Sequence, residues 1–423
     1  MNRTREGGIV LAVFVVLLLA ACGGSGSKSG SGGTKVLDPS EADNAKGKVT
    51  WCIGKDTTGA FAQVVKMHNA QNNGVTAKLI ELPTSADQQR AQQIQRLRAK
   101  SPECDVLGID TIWTAEYASQ GWLYDLSKAI EKRKSDFIGS TVASAKYQGK
   151  YWAIPFNTNA GFLYYRTDQV KAAPTSWQQV YQEAKQTKGL VYQGARYEGL
   201  TVNFLELLYA AGGKAISDDG KKSEIDSPIA QQVLQFMVGG RKDGAVQKAV
   251  STYMEEESRR AFEAGQATFE RQWPYAYSLG QKAPIKGKFA ITPLPGWNGK
   301  PGGGVIGGYN LAISAYSKNP GGALEFANFI TGPEPQKIMA EKASLPPTLT
   351  ATYDDPGVKK ALPFAAELRK AVDQASPRPI SPVYTQISEA IYKNVYAALW
   401  SGASVNSALK KADTQINTAL KSF

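Results

Sequence analysis

The chain has 423 residues, 42% of them apolar, with 49 Lys and Arg against 37 Asp and Glu and one histidine. That length exceeds what one compact core ordinarily holds and suits two lobes. The net charge of +12 is spread through stretches such as EKRKSD and GKKSEID with acids interleaved, which argues for a solvated surface and against the concentrated basic face of a nucleic-acid binder; a single histidine leaves histidine-based metal centres and catalytic triads almost nothing to work with.

Arg3 and Arg5 precede an uncharged apolar run of thirteen residues, Ile9 to Ala21. A membrane-crossing helix needs roughly 20, so residues 1–21 read as an export signal. Leu19-Ala20-Ala21-Cys22 resembles a bacterial lipobox, in which the cysteine sulfur receives a diacylglyceryl group and cleavage leaves that cysteine first. The expectation is an extracytoplasmic protein anchored to the cell membrane through lipidated Cys22, because two palmitate-class chains, at about 0.8 kcal/mol per buried methylene, suffice for stable anchoring. Gly23 to Gly33 contains only Gly, Ser and one Lys and behaves as a flexible coil. It lacks the strand, helix and Gly-Lys-Ser/Thr ending of a phosphate loop. Residues 22–44 are therefore read as a tether.

Strand-like and helical patterns then alternate: KVTWCIG, a helix from Ala60 to about Gln71, TAKLIEL, a helix from Ser85 to Lys100, and CDVLGID. Such alternation predicts β–α–β units and a parallel sheet. Ligands on such sheets bind beyond the carboxyl ends of the strands, which singles out Asp56 to Gly59 after the first strand and Asp110 with Trp113 after the third. Cys52 and Cys104, the even pair left beyond Cys22, sit in predicted strands and are expected to form a disulfide, two buried thiols being the alternative. His68, within FAQVVKMHNAQNNG, is expected on a helix surface.

A second set of α/β patterns runs from Phe162 through Trp297, followed by the strand GGYNLAIS, the helix GGALEFANFIT and two terminal helical stretches. Residues near Pro155 to Thr158 and Gly302 to Gly308 punctuate regular structure and read as hinge segments. The predicted fold class is α/β with two lobes, each a mainly parallel sheet flanked by helices, and a ligand cleft between them. Lobe 1 is assigned to 45–156 and 308–350, lobe 2 to 157–307 and 351–423.

Six segments mix aromatics with single carboxylates, amides or guanidinium groups: GIDTIWTAEY (108–117), YWAIPFNTNAGFLYYR (151–166), YEGLTVNF (197–204), FERQWPYAY (269–277), GGGVIGGYN (302–310) and SPRPISPVY (376–384). Sugars present C–H faces that stack on aromatic rings and hydroxyls that seek paired donors and acceptors, and these residue types match that chemistry. In order and content the segments resemble the extracellular solute-binding lipoproteins that deliver carbohydrates to ABC importers. Within that family they look most like trehalose-binding lipoproteins and the wider trehalose/maltose-binding group.

The resemblance implies a monomeric binding protein, without metal or cofactor, that captures a disaccharide and presents it to permease subunits. It implies that Asp110 accepts from sugar hydroxyls and that Asn159, where related binders can carry Asp, does so from the other lobe. Trp273 would supply the stacking face with Tyr275 beside it. Gly307 and Gly308 would let backbone approach the ligand, Arg378 would fork onto ring or glycosidic oxygens, and Glu255 would add a further contact. Competing structural roles are a helix cap for Asp110, a backbone turn for Asn159, core packing for Trp273, hinge duty for the glycines and an ion pair for Arg378. A secreted glycoside hydrolase using Asp110 and Glu255, or a binder of peptide or polyamine, remains the alternative function.

Overall fold

The computed structural model describes residues 34–422, so the export signal, Cys22 and the glycine-serine run lie outside the described residues. Structure begins earlier than expected. Leu37 is fully buried, Val36 pairs with Asp125, and Asp38 caps a 3-10 turn, Pro39–Ala42, with Glu41 reaching back to its backbone. The buried Leu37 side chain, the backbone bridge at Val36 and a capping box dock a stretch that composition assigns to the tether.

Eleven strands occur among the described residues: β1 (Gly47–Gly54), β2 (Val75–Leu82), β3 (Val106–Asp110), β4 (Lys146–Tyr147), β5 (Lys150–Tyr151), β6 (Ile154–Asn159), β7 (Phe162–Arg166), β8 (Leu190–Val191), β9 (Phe269–Gln272), β10 (Phe289–Pro293) and β11 (Gly307–Ile313). β4 and β5 pair only with each other. The first large sheet has the order β2-β1-β3-β11-β6. Its β1 runs parallel to β2 and β3, as the alternation predicts, and β11 is antiparallel to β3 and β6. Period-two alternation along β1 sends Val49, Trp51 and Ile53 into one apolar layer, where Trp51 packs against Phe61, Phe156 and Phe326. Cys52 faces the opposite layer, bonded to Cys104.

The second sheet, β10-β7-β9-β8, is mostly antiparallel, with only β8 and β9 parallel. The expected parallel arrangement fails in this lobe for a topological reason. β7 and β8 are consecutive in sequence, yet β9 lies between them, and alternation of element types fixes direction only for strands that a crossover makes adjacent. Behind this sheet, helix Glu198–Ala210 buries twelve of its thirteen residues and packs against Pro228–Lys242 and Tyr384–Trp400. A helix apolar on nearly every side belongs inside a lobe.

His68 is a correction. It is fully buried, on the stripe Ala60, Phe61, Val64, Val65 and His68 of helix Ala60–Ala70. Its ring meets Phe326 and Phe329 edge-on at 5.0 Å, and Nε2 lies 2.8 Å from Glu325 Oε2. The i, i+4, i+8 spacing from Ala60 directs it inward, and Glu325 satisfies the ring that would otherwise resist burial.

The chain crosses between sheets from β6 through Ala160 and Gly161 into β7, and returns after β10 into β11. β6 reaches Asn159 and β11 begins at Gly307, so both belong to the first sheet slightly beyond the expected boundaries. Gly308 has φ +115°, and a Cβ there would run into the Asn157 carbonyl. Only glycine serves at that crossing.

Candidate ligand-binding site

A cavity of about 180 Å³ opens between the two sheets. Asp110, Asn159, Glu255, Trp273, Tyr275, Gly307, Gly308 and Arg378, drawn from six separated segments of the chain, all line it. Asp56 and Thr58 from the loop after β1 do so as well. Trp113 does not. It is buried in the first lobe, stacked on Tyr117 at 14°, because the 3-10 turn Thr111–Trp113 turns the indole inward.

Trp273 follows directly on β9. On one face of its ring lies the guanidinium of Arg271, 3.9 Å from the centroid, a cation–π stack made in a desolvated setting. Arg271 is 1% exposed and donates through Nε to Glu206 Oε2 at 2.7 Å and through Nη1 to Gln193 Oε1 at 3.0 Å. A Cβ on Gly307 would come within 3.1 Å of the far edge of the indole, so glycine leaves the ring room to lie against β11. Tyr275 donates to Glu256 Oε1 at 2.7 Å, and Arg259 holds the other Glu256 oxygen at 2.6 Å. Burial raises the Glu256 carboxyl, but Arg259 and Tyr275 outweigh it and keep the group below its ordinary pKa.

Asp110 ends β3. Its Oδ1 accepts from the Ile112 amide and Thr111 Oγ1, each at 3.2 Å, and from Arg378 Nη2 at 2.7 Å. The cap is therefore present, yet all three contacts fall on one oxygen. Oδ2 has no partner among the described residues. Asn159 makes no turn to its own backbone, and its Oδ1 is buried without a partner among the described residues. Burying an unpaired amide oxygen costs about 1–3 kcal/mol, a cost that a hydroxyl donor in the cavity removes.

Arg378 makes the ion pairs named as its competing role while also lining the cavity. Nη2 is bonded to Asp110 and Nη1 to Glu198 Oε1 at 2.9 Å, with the side chain 2% exposed. Burial opposes its charge, but the two carboxylates outweigh it and hold the guanidinium protonated. Both terminal nitrogens are bound to carboxylates and orient Asp110, while Nε is buried without a partner among the described residues. Glu198 also accepts from Tyr384 Oη at 2.7 Å and from Ser388 Oγ; burial nevertheless pushes its carboxyl up to about 7, against the pull of Arg378. Burial raises Glu255 as well. Burial thus raises two of the carboxyls around the cavity.

Several lining residues were not singled out in the sequence. Tyr309 donates to Gln89 Oε1 at 2.8 Å, and both face the cavity. Glu198 lay inside YEGLTVNF without being picked out, its partner Arg378 being 180 residues away. Arg271 had a readable signal: it stands two residues before Trp273 along an extended segment, hence on the same face.

Residues 54–337 match the family model described as bacterial extracellular solute-binding protein. The chain belongs to that family. It is 37% identical over 370 residues to a protein of Deinococcus radiodurans named "Probable ABC transporter-binding protein", covering 82% of this chain and 87% of that one. The maltose-bound T. maritima MalE3 structure superposes with a TM-score of 0.84 at 35% identity, covering 88% of this chain and 99% of the other. The GacH receptor of Streptomyces glaucescens, at 22% identity and TM-score 0.81 over 89% and 99%, shares the fold. Membership makes this chain an extracytoplasmic solute-binding protein and not an enzyme, and the hydrolase alternative falls away.

Proposed function

We propose that this solute-binding protein captures a disaccharide, trehalose or a related α-linked sugar, and presents it to the permease of an ABC importer while tethered to the membrane through lipidated Cys22. One observation carries the reading: a rear-supported indole, Trp273, shares a cavity with a buried unpartnered acceptor, Asn159 Oδ1, and with Asp110, whose Oδ2 bonds no described residue. A flat apolar face beside acceptors suits a sugar ring, whose C–H patch stacks while its hydroxyls donate. The cavity lies below the roughly 300–1,000 Å³ of drug-sized sites, which argues against a long oligosaccharide or a peptide. The maltose named for the T. maritima relative agrees with this class.

In this mechanism Arg378 and Glu198 hold Asp110, Tyr275 and Glu255 border the stacked ring, and Gly307 and Gly308 admit the ligand against backbone. Closure about the β6–β7 and β10–β11 crossings follows from tighter binding to the closed form, the only way a ligand shifts such an equilibrium. Calorimetry against trehalose, maltose and sucrose tests the reading. An α-linked disaccharide should bind best, and Trp273→Ala should abolish the heat while leaving the thermal transition in place. No heat from any member of the panel would refute it. Release of a Cys22→Ala protein from the membrane tests the anchor.

A further inference from the structure

We propose that Arg271 is a positioning residue for capture: locked by Glu206 and Gln193, it clamps the rear face of Trp273 so that one fixed plane of the indole receives the ligand. The inference rests on the sugar reading for its ligand but on independent geometry for the clamp. The guanidinium centre lies 3.9 Å from the ring centroid, and its donors are taken on the side away from the cavity, by Glu206 through Nε and Nη2 and by Gln193 through Nη1. Arg271 and Glu206 are 1% and 0% exposed.

A buried ion pair is a poor device for stability alone, because well-packed apolar residues of similar volume often do as well or better. Its distinctive property here is shape. A planar fork held by a carboxylate and an amide cannot rotate, and a flat cation stacked on an indole transmits that rigidity to the ring. Lysine would supply the charge without the plane. The clamp also abuts the crossing segment, for a Cβ on Gly161 would strike both Glu206 Oε1 and the Arg271 guanidinium. Ring and crossing are thereby registered to one pair of side chains.

The test uses the full chain in two forms. Arg271→Met with Glu206→Gln removes both charges and strands neither; Arg271→Lys keeps a cation for Glu206 should the double variant fail to fold. Two readouts are taken on each. The first is the affinity for whichever panel sugar binds the native protein best. The second is acrylamide quenching of Trp273, obtained as the difference between each protein and its Trp273→Phe counterpart. The double variant should bind about 2- to 12-fold more weakly, the cost of immobilising a freed side chain on binding, and Trp273 should become more quenchable; Arg271→Lys should move both readouts the same way. A merely structural role would lower the melting temperature and leave affinity and quenching unchanged in the folded protein, which would overturn the proposal. If the native protein binds no sugar in the panel, the functional reading fails, and quenching alone still decides the clamp: unchanged quenching overturns it.

Discussion

Glu270 stands on β9, opposite Tyr164 on β7, and is 1% exposed. Gln272 Nε2 donates to it at 3.1 Å, but no cation is bonded to it among the described residues. Burial pushes its carboxyl up to about 8, with Ser258 and Gln272 pulling the other way. An unfolded glutamate titrates near 4.5, so the folded state holds this proton more tightly. The sign follows from linkage: where the native state binds more protons, stability falls as pH rises. The stabilisation is therefore fully present below about pH 4.5 and is lost as pH climbs through about 8. At about 1.4 kcal/mol per pKa unit, the loss over that window is on the order of a few kcal/mol. Glu270→Gln keeps the shape and stays neutral at every pH. Urea unfolding at pH 5 and pH 8 should give variant and native protein nearly equal midpoints at pH 5 and a clear advantage to the variant at pH 8. Glu198, raised to about 7, contributes a similar slope to both proteins, so their difference isolates Glu270. Parallel profiles would show that the carboxyl is ionised and solvated in the native state, and would refute the reasoning.

Replacing Cys52 and Cys104 together by alanine opens a link spanning 52 residues, and the chain-entropy relation puts the loss at about 4 kcal/mol; native protein in reductant should unfold at the same lowered denaturant midpoint. Asp110→Asn should weaken sugar binding by at least about tenfold, as expected when a charge-assisted hydrogen bond becomes a neutral one, with calorimetry as the measure; unchanged affinity would leave Asp110 only its cap and ion-pair roles. Gly161→Ala drives a methyl group into the Glu206–Arg271 pair and should lower the thermal midpoint by several degrees, the range expected for about 1–3 kcal/mol of overpacking. An unchanged midpoint would show that the crossing backbone can move away from the pair.

What could be read from the chain divides by the range of the forces involved. The β–α–β alternation from β1 to β3, the strand-end placement of Asp110 and the aromatic character of FERQWPYAY are local patterns, and local patterns survive in a sequence. His68 was within reach too, since its eight-residue spacing from Ala60 places it on the buried stripe; a polar side chain amid polar neighbours hid that spacing, and Glu325, 257 residues on, is what makes the burial tolerable. The antiparallel setting of β7 against β9 was beyond reach, because direction depends on which strand lies between two others and no periodicity records that.

The case of Arg378 carries the same lesson into the site. Read alone, an arginine in SPRPISPVY is a free fork for sugar oxygens; read with Asp110 and Glu198, 268 and 180 residues away, it has both terminal nitrogens occupied and only Nε without a partner among the described residues. Its occupation shapes the chemistry left for a solute. With Oδ1 of Asp110 taken by the cation, the cap and Thr111, one carboxylate oxygen remains, aimed with little freedom, and Asn159 offers one amide oxygen. Two fixed acceptors beside a clamped ring call for a ligand that brings its own donors and a flat apolar face. A phosphorylated solute brings acceptors instead, and would meet the carboxylates of Asp56, Asp110 and Glu256 around the same cavity. Lys55 and Arg378 line the cavity as well, so the charges around it are mixed, and the proposed uncharged carbohydrate is the solute that neither sign repels.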